Sequence, residues 1–130
     1  APLLALAQRD PWWDTVDSLA GIVGDVVRAA RGSEPDAQAA MDAELNSDSL
    51  WMRRIAMIHQ LGWRLETDTE RLFGYAEALA PERNFFIRKA VGWALRDYAR
   101  WNPQAVRNFV AAMDGRLAPL SAREATLRIA

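Results

Sequence analysis

One seven-residue pattern recurs along this chain. Leu50-Trp51-Met52-Arg53-Arg54-Ile55-Ala56 lines up with Phe85-Phe86-Ile87-Arg88-Lys89-Ala90-Val91 at an offset of 35 residues, and the same offset reaches Leu120-Ser121-Ala122-Arg123-Glu124-Ala125-Thr126. Recurrence at this spacing is the mark of stacked helix pairs. No pair buries its apolar face alone, so each must pack on its neighbours, and the product is a curved solenoid with a concave wall. Helices rich in Ala and Arg also resemble one another by composition, so the offset by itself leaves chance similarity open.

Local signals agree with helices. Asp10-Pro11 and Asn102-Pro103 each put a capping side chain before a proline at the first helical position. Asn84 is placed to cap a helix beginning at Phe85, while Thr67-Asp68-Thr69-Glu70 and Ser121-Ala122-Arg123-Glu124 fit capping boxes. The patterning predicts helices over 11–30, 36–45, 49–62, 68–79, 85–100, 103–113 and 121–129, joined by short polar connectors. No segment alternates with period two, so no strand is expected. The expected fold class is all-α, with residues 1–130 as a single domain.

Composition narrows the function. Hydrophobic residues make up 51% and charged residues 25%, ordinary for a globular chain, and no apolar run is long enough to span a membrane. The apolar start, Ala1 to Ala7, lacks the basic flank and cleavage pattern of a signal peptide. With no initiator Met, the chain reads as a fragment, or as one whose N-terminal part was removed or is disordered. Cysteine is absent and His59 is the single histidine, which excludes disulfides, thiolate nucleophiles and zinc–cysteine or histidine-rich metal sites. No metal or other cofactor is expected, and the cytoplasm is the expected compartment. Net charge is −1, which taken alone argues against a strongly basic nucleic-acid binder. Fifteen of the 16 basic residues are Arg, the other being Lys89, so the question is whether they share a face.

Three groups of residues could carry chemistry. In the helix over 85–100, Ile87, Val91, Leu95 and Tyr98 form an apolar stripe, while Lys89, Trp93, Arg96 and Arg100 recur at four, three and four residues on another face. A tryptophan within a basic stripe can stack while its neighbours hold phosphates, or it can pack beneath an adjacent helix. Trp12 and Trp13 open the first helix, and Asp17 follows Trp13 by one turn, a carboxylate beside an aromatic wall. The plainer reading puts the tryptophans in the core and Asp17 on the surface. Arg54 lies near Trp51 and Ile58 by turn spacing; it either reaches a phosphate or pairs at the surface with Glu44 or Asp48. His59 reads as packed and hydrogen-bonded, without a catalytic role.

The blocks Trp12-Trp13-Asp14-Thr15-Val16-Asp17, Leu50-Trp51-Met52-Arg53-Arg54 and Phe85-Phe86-Ile87-Arg88-Lys89-Ala90-Val91-Gly92-Trp93-Ala94-Leu95-Arg96-Asp97-Tyr98, with the tail Leu117-Ala118-Pro119-Leu120-Ser121-Ala122-Arg123-Glu124-Ala125, resemble AlkD-type DNA alkylation repair glycosylases. The likeness runs through nearly the whole chain. It implies an α-α superhelix of HEAT-like helical repeats with a concave DNA-binding groove. Asp17 matches the catalytic aspartate, Trp13 and Trp93 match two tryptophans that contact the deoxyribose backbone around the lesion, and Arg54 matches an arginine that contacts the DNA backbone. Lys89 and Arg96 join them as DNA-contacting candidates. The implied partner is duplex DNA containing alkylated bases, and the implied reaction is hydrolysis of the N-glycosidic bond of cationic purines such as 3-methyladenine and 7-methylguanine, without base flipping. Members of the family carry further helices before the first motif, so this chain is expected to be their C-terminal portion. A non-catalytic HEAT-like scaffold binding DNA or protein is the alternative.

Overall fold

The computed structural model describes residues 13–31 and 35–127, with side chains over 16–31 and 37–127. Among them are seven α-helices and no strand: α1 (Trp13–Ala29), α2 (Pro35–Glu44), α3 (Leu50–Ile58), α4 (Thr69–Leu79), α5 (Phe85–Ala99), α6 (Pro103–Met113) and α7 (Pro119–Thr126), with one 3-10 turn at Arg64–Glu66. Helix starts repeat as the offset anticipated. Leu50 and Phe85 are 35 residues apart, and Thr69 and Pro103 are 34 apart. No helix among the described residues is long and apolar enough to cross a membrane. The chain divides between His59 and Gln60 into two compact units.

The first unit packs α1 and α2 against α3. Val16, Leu19, Ala20, Val23 and Val27 recur at helical spacing and give α1 one buried face. Met41 of α2 and Met52, Ile55, Ala56, Met57 and Ile58 of α3 complete the core. His59 closes α3. Its Nδ1 lies 2.6 Å from the Ala56 carbonyl oxygen, and the Gln38 amide reaches Nε2 at 3.2 Å. That pairing puts the ring proton on Nδ1 and satisfies both nitrogens of a buried imidazole, as expected for a packed histidine.

The second unit is built around α5, which receives α4, α6, α7 and the 3-10 turn. Ile87, Ala90, Val91, Ala94, Leu95 and Tyr98 are buried along it. Phe73 of α4 stacks on Phe109 of α6, with centroids 4.7 Å apart, and meets Tyr98 of α5 edge-on at 6.4 Å. These aromatic contacts add to the area they bury.

Caps explain most boundaries. The Asn84 side chain accepts from the backbone N–H groups of Phe86 and Ile87. Asn102 accepts from that of Ala105, ahead of Pro103 at the first turn of α6. Two expected capping boxes are corrected. Asp68, not Thr67, caps α4 by accepting from the Arg71 N–H at 3.2 Å, while the Thr67 hydroxyl donates to the Arg64 carbonyl. Ser121 lies inside α7, which starts at Pro119. Its buried hydroxyl donates across to the Arg88 carbonyl of α5 at 2.8 Å. The helix expected over 49–62 stops at Ile58; Gly62 then turns with φ +82°, a conformation that costs glycine little. The Asp10-Pro11 cap and Trp12 lie outside the described residues.

One glycine sets the distance between α5 and α7. A Cβ built on Gly92 would stand 2.6 Å from the Cβ of Glu124 and 3.3 Å from the Cα of Ser121. Alanine in mid-helix gains roughly 1 kcal/mol of propensity over glycine. The contact is with helix backbone and a Cβ, neither of which can swing aside, and such overpacking costs about 1–3 kcal/mol. The clash should therefore outweigh the propensity. Gly92→Ala is expected to lower the thermal midpoint by several degrees, and an unchanged or higher midpoint in a calorimetric scan would show that α7 rides over the added methyl without loss.

Candidate nucleic-acid interface

The candidate residues fall into two sets, one in each unit. In the first, α1 presents Asp17 beside its buried face and α3 presents Arg54 from within an otherwise apolar run. Arg54 is only 5% exposed. Its Nε donates to Asp17 Oδ1 at 2.8 Å and its Nη2 to Oδ2 at 3.0 Å. Two parallel bonds from a planar fork fix the carboxylate in angle as well as position. This corrects one alternative left open by the sequence: the carboxylate paired with Arg54 is Asp17, not Glu44 or Asp48. The Asp17 side chain remains 16% exposed, so one edge of it meets solvent. Each carboxylate oxygen carries two lone pairs, and a single guanidinium bond leaves the second of each for another donor. Trp13 begins α1 one turn before Asp17, and its side chain lies outside the described residues.

In the second unit the stripe expected on α5 forms as a face. Trp93 is 41% exposed, opposite the buried line of Ile87, Val91 and Leu95. Trp93, Arg96, Asp97 and Arg100 line an open pocket of about 140 Å³. Asp97 also accepts from the Gly62 N–H at 3.0 Å, which ties the turn before the 3-10 segment to α5. Lys89 and Arg96 share a partner: Glu124 of α7 takes Lys89 Nζ on Oε1 at 2.8 Å and Arg96 Nη1 on Oε2 at 3.3 Å. The hydrogen bond from Lys89 is the largest influence on the Glu124 carboxyl and pulls it below its ordinary 4.5; burial opposes, while the charge of Lys89 and then the hydrogen bond and charge of Arg96 assist. Lys89, Arg96 and Arg100 set against Glu124 and Asp97 leave this face with one net positive charge.

Sequence reasoning missed Glu124 as part of this face, because it read the residue as the far end of a capping box. A signal was present. Glu124 stands 35 residues after Lys89, the repeat offset itself, and carries the opposite charge. Equivalent positions of neighbouring repeats stack side by side, so opposite charges in register read as a contact.

The profile of a family described as DNA alkylation repair enzymes matches residues 2–129. The chain belongs to the DNA alkylation repair enzyme family. It is similar over 97% of its length, at 29% identity and a TM-score of 0.86, to a solved structure titled as a predicted DNA alkylation repair enzyme from Enterococcus faecalis. The chain spans 57% of that relative. No curated protein matches it. The all-α class expected from the sequence, with the helical-repeat superhelix fold of the DNA alkylation repair family, therefore stands.

Two outcomes test the geometry. Removing one member of a buried, bidentate ion pair leaves the other charge in a poor environment and costs about 3–5 kcal/mol, whereas replacing both with apolar residues is far less costly. Asp17→Ala is expected to destabilise the chain by about 3 kcal/mol, the low end because the pair reaches solvent at one edge. The double variant Asp17→Ala/Arg54→Met should recover most of that in denaturant unfolding; a double variant as unstable as the single one would count against the pairing. The second outcome concerns Glu124. A carboxyl lowered in the fold adds stability that is complete above its unfolded value and is lost as pH falls through the folded value. The stability difference between the natural chain and Glu124→Gln should thus be present above pH 4.5 and shrink on acidification below it. A difference constant across that range would mean that the carboxylate charge is not what binds α7 to α5.

Proposed function

We propose that the protein is a DNA glycosylase of alkylation repair, acting on duplex DNA that bears a cationic alkylated purine such as 3-methyladenine or 7-methylguanine. The observation that carries this reading is the Asp17–Arg54 pair: a carboxylate held by two bonds at 2.8 and 3.0 Å and still open to solvent along one edge. Family membership and the match of Asp17 to the catalytic aspartate of AlkD-type glycosylases support it.

The chemistry asks little of the protein beyond placement. A purine carrying a positive charge is already a good leaving group. As the bond from C1′ to the base nitrogen breaks, its electron pair returns to the base and cancels that charge. The sugar takes on oxocarbenium character, which a fixed anion stabilises because no solvent need reorganise to do so. Water then adds at C1′ and gives up a proton toward the Asp17 carboxylate. No strong general acid is needed, which suits a chain without cysteine and with its single histidine packed away. In this reading Arg54, only 5% exposed and with Nε and Nη2 both on Asp17, aims that carboxylate rather than contacting the DNA backbone, the role that the resemblance implied. Trp93 supplies an exposed indole for CH–π contact with deoxyribose, with Trp13 in the matching role on α1, and Lys89 and Arg96 hold backbone phosphates. The exposed setting of Trp93 suits contact with the DNA backbone more than enclosure of an extruded base, so the base is read as staying in the stack.

One observation favours a second reading. The net charge of −1 is low for a DNA binder and fits a non-catalytic helical scaffold for protein or DNA. Base release separates the two. The full-length protein should liberate 7-methylguanine from methylated duplex DNA under single-turnover conditions, and Asp17→Asn should slow that step by about 100-fold or more. Equal rates for the natural protein and the variant, assayed well below the variant's thermal midpoint, would remove Asp17 from the reaction; no release from either would favour the scaffold.

A further inference from the structure

We propose that Glu124 is a built-in competitor for the DNA backbone, occupying the phosphate-gripping groups of Lys89 and Arg96 and so weakening the hold on undamaged duplex. The inference rests on the reading of the α5 face as a DNA contact.

The geometry is that of a stand-in. A carboxylate and a phosphodiester each offer two anionic oxygens to neighbouring donors. Glu124 gives one oxygen to each cation, Oε1 to Lys89 and Oε2 to Arg96. The two cations lie seven residues apart on α5, with Gly92 between them. A single anion can reach both from above that glycine, and the Cβ of Glu124 stands there, close enough to exclude any side chain on Gly92. An incoming phosphate shared by Lys89 and Arg96 would have to take the same place.

The pair is also reachable. The side chains of Lys89, Arg96 and Glu124 are 38%, 28% and 21% exposed, and Trp93 opens beside them. Ion pairs exposed to this degree are weak enough to be exchanged for another anion. Backbone binding draws its affinity from counterions released as cations meet phosphates. Cations that already carry an internal counter-charge release less. A repair enzyme must leave undamaged DNA often, and lowering this sequence-independent part of the affinity serves that need.

The test is the salt dependence of binding. The full-length protein and its Glu124→Gln variant are titrated against a fluorescein-labelled undamaged duplex by anisotropy over a series of potassium chloride concentrations. Glutamine keeps the aliphatic stem that rests on Gly92. The variant should bind more tightly at low salt, with a slope steeper by about one unit, so that each fourfold dilution of salt adds roughly a further 3.5-fold to its advantage. Adding Lys89→Ala to the variant should return the slope toward the natural value. Glu124→Met, also neutral and of similar length, gives the same reading should the glutamine variant fail to fold. A slope unchanged or shallower in folded neutral variants overturns the proposal, as does a gain that persists in the double variant. Lys89→Ala and Arg96→Ala, each added to a folded variant with Glu124 neutralised so that no carboxylate occupies the cations, separate the two failures. If both weaken binding while neutralising Glu124 does not strengthen it, the competitor role alone is lost. If neither alters binding, the DNA-contacting reading of the α5 face falls, and the competitor role with it.

Discussion

A guanidinium taken out of water must be answered by an anion, and in the first unit that requirement decides how α1 meets α3. Arg54 sits among Met52, Ile55, Ala56 and Ile58 at 5% exposure. Desolvating it alone would cost several kcal/mol, so α1 must bring a carboxylate to it. Asp17 does so with two near-parallel bonds. The same bonds that satisfy the arginine leave the carboxylate with little freedom to rotate, and a fixed anion is what a reaction developing positive charge on a sugar would use. Stability and proposed chemistry thus draw on one contact, which is why a substitution at either residue must be read for folding before it is read for rate.

In the second unit the ordering feature is steric. Gly92 brings the Cβ of Glu124 directly over α5, and the carboxylate beyond it lands between Lys89 and Arg96. Elsewhere on that helix the division of labour is the ordinary amphipathic one. Ile87, Val91, Leu95 and Tyr98 face the core, and Trp93 faces out. The exposure of Trp93 is the less usual part, since an indole of that size is more often covered.

Much of this was legible in the sequence, for physical reasons that differ by residue. Asn84 and the Asn102-Pro103 pair marked helix starts because their side chains have one good use there. The apolar stripe on α5 was plain because its period matches the helix. The 35-residue offset carried over into the helix starts at Leu50 and Phe85. What failed were choices among equally polar neighbours. Thr67 and Asp68 can both cap, and the stronger acceptor did. Ser121 looked like a cap because its box with Glu124 outweighed the start signal of Pro119, which follows Ala118, a residue with no capping side chain. The partners of Arg54 and Lys89 lie 37 and 35 residues away, and no local pattern reports contacts between helices. The repeat offset hinted at the partner of Lys89 alone. The residues singled out for DNA came from spacing and from resemblance together; the structure adds which of them pair within each unit.

The hydroxyl of Ser121 has a consequence beyond its own bond. It fastens α7 to the Arg88 carbonyl, while one turn along Glu124 lies over Gly92. Two fixed points prevent α7 from sliding along α5 by a helical turn, since a slide would lose the bond and drive a side chain into the bare stretch of α5. Gly92, Ser121 and Glu124, together with the main-chain carbonyl of Arg88, therefore work as one lock on the register of α7. A substitution at Gly92, Ser121 or Glu124 disturbs the seat of the whole helix, whereas one at Arg88 leaves the lock in place, since only its main-chain oxygen takes part.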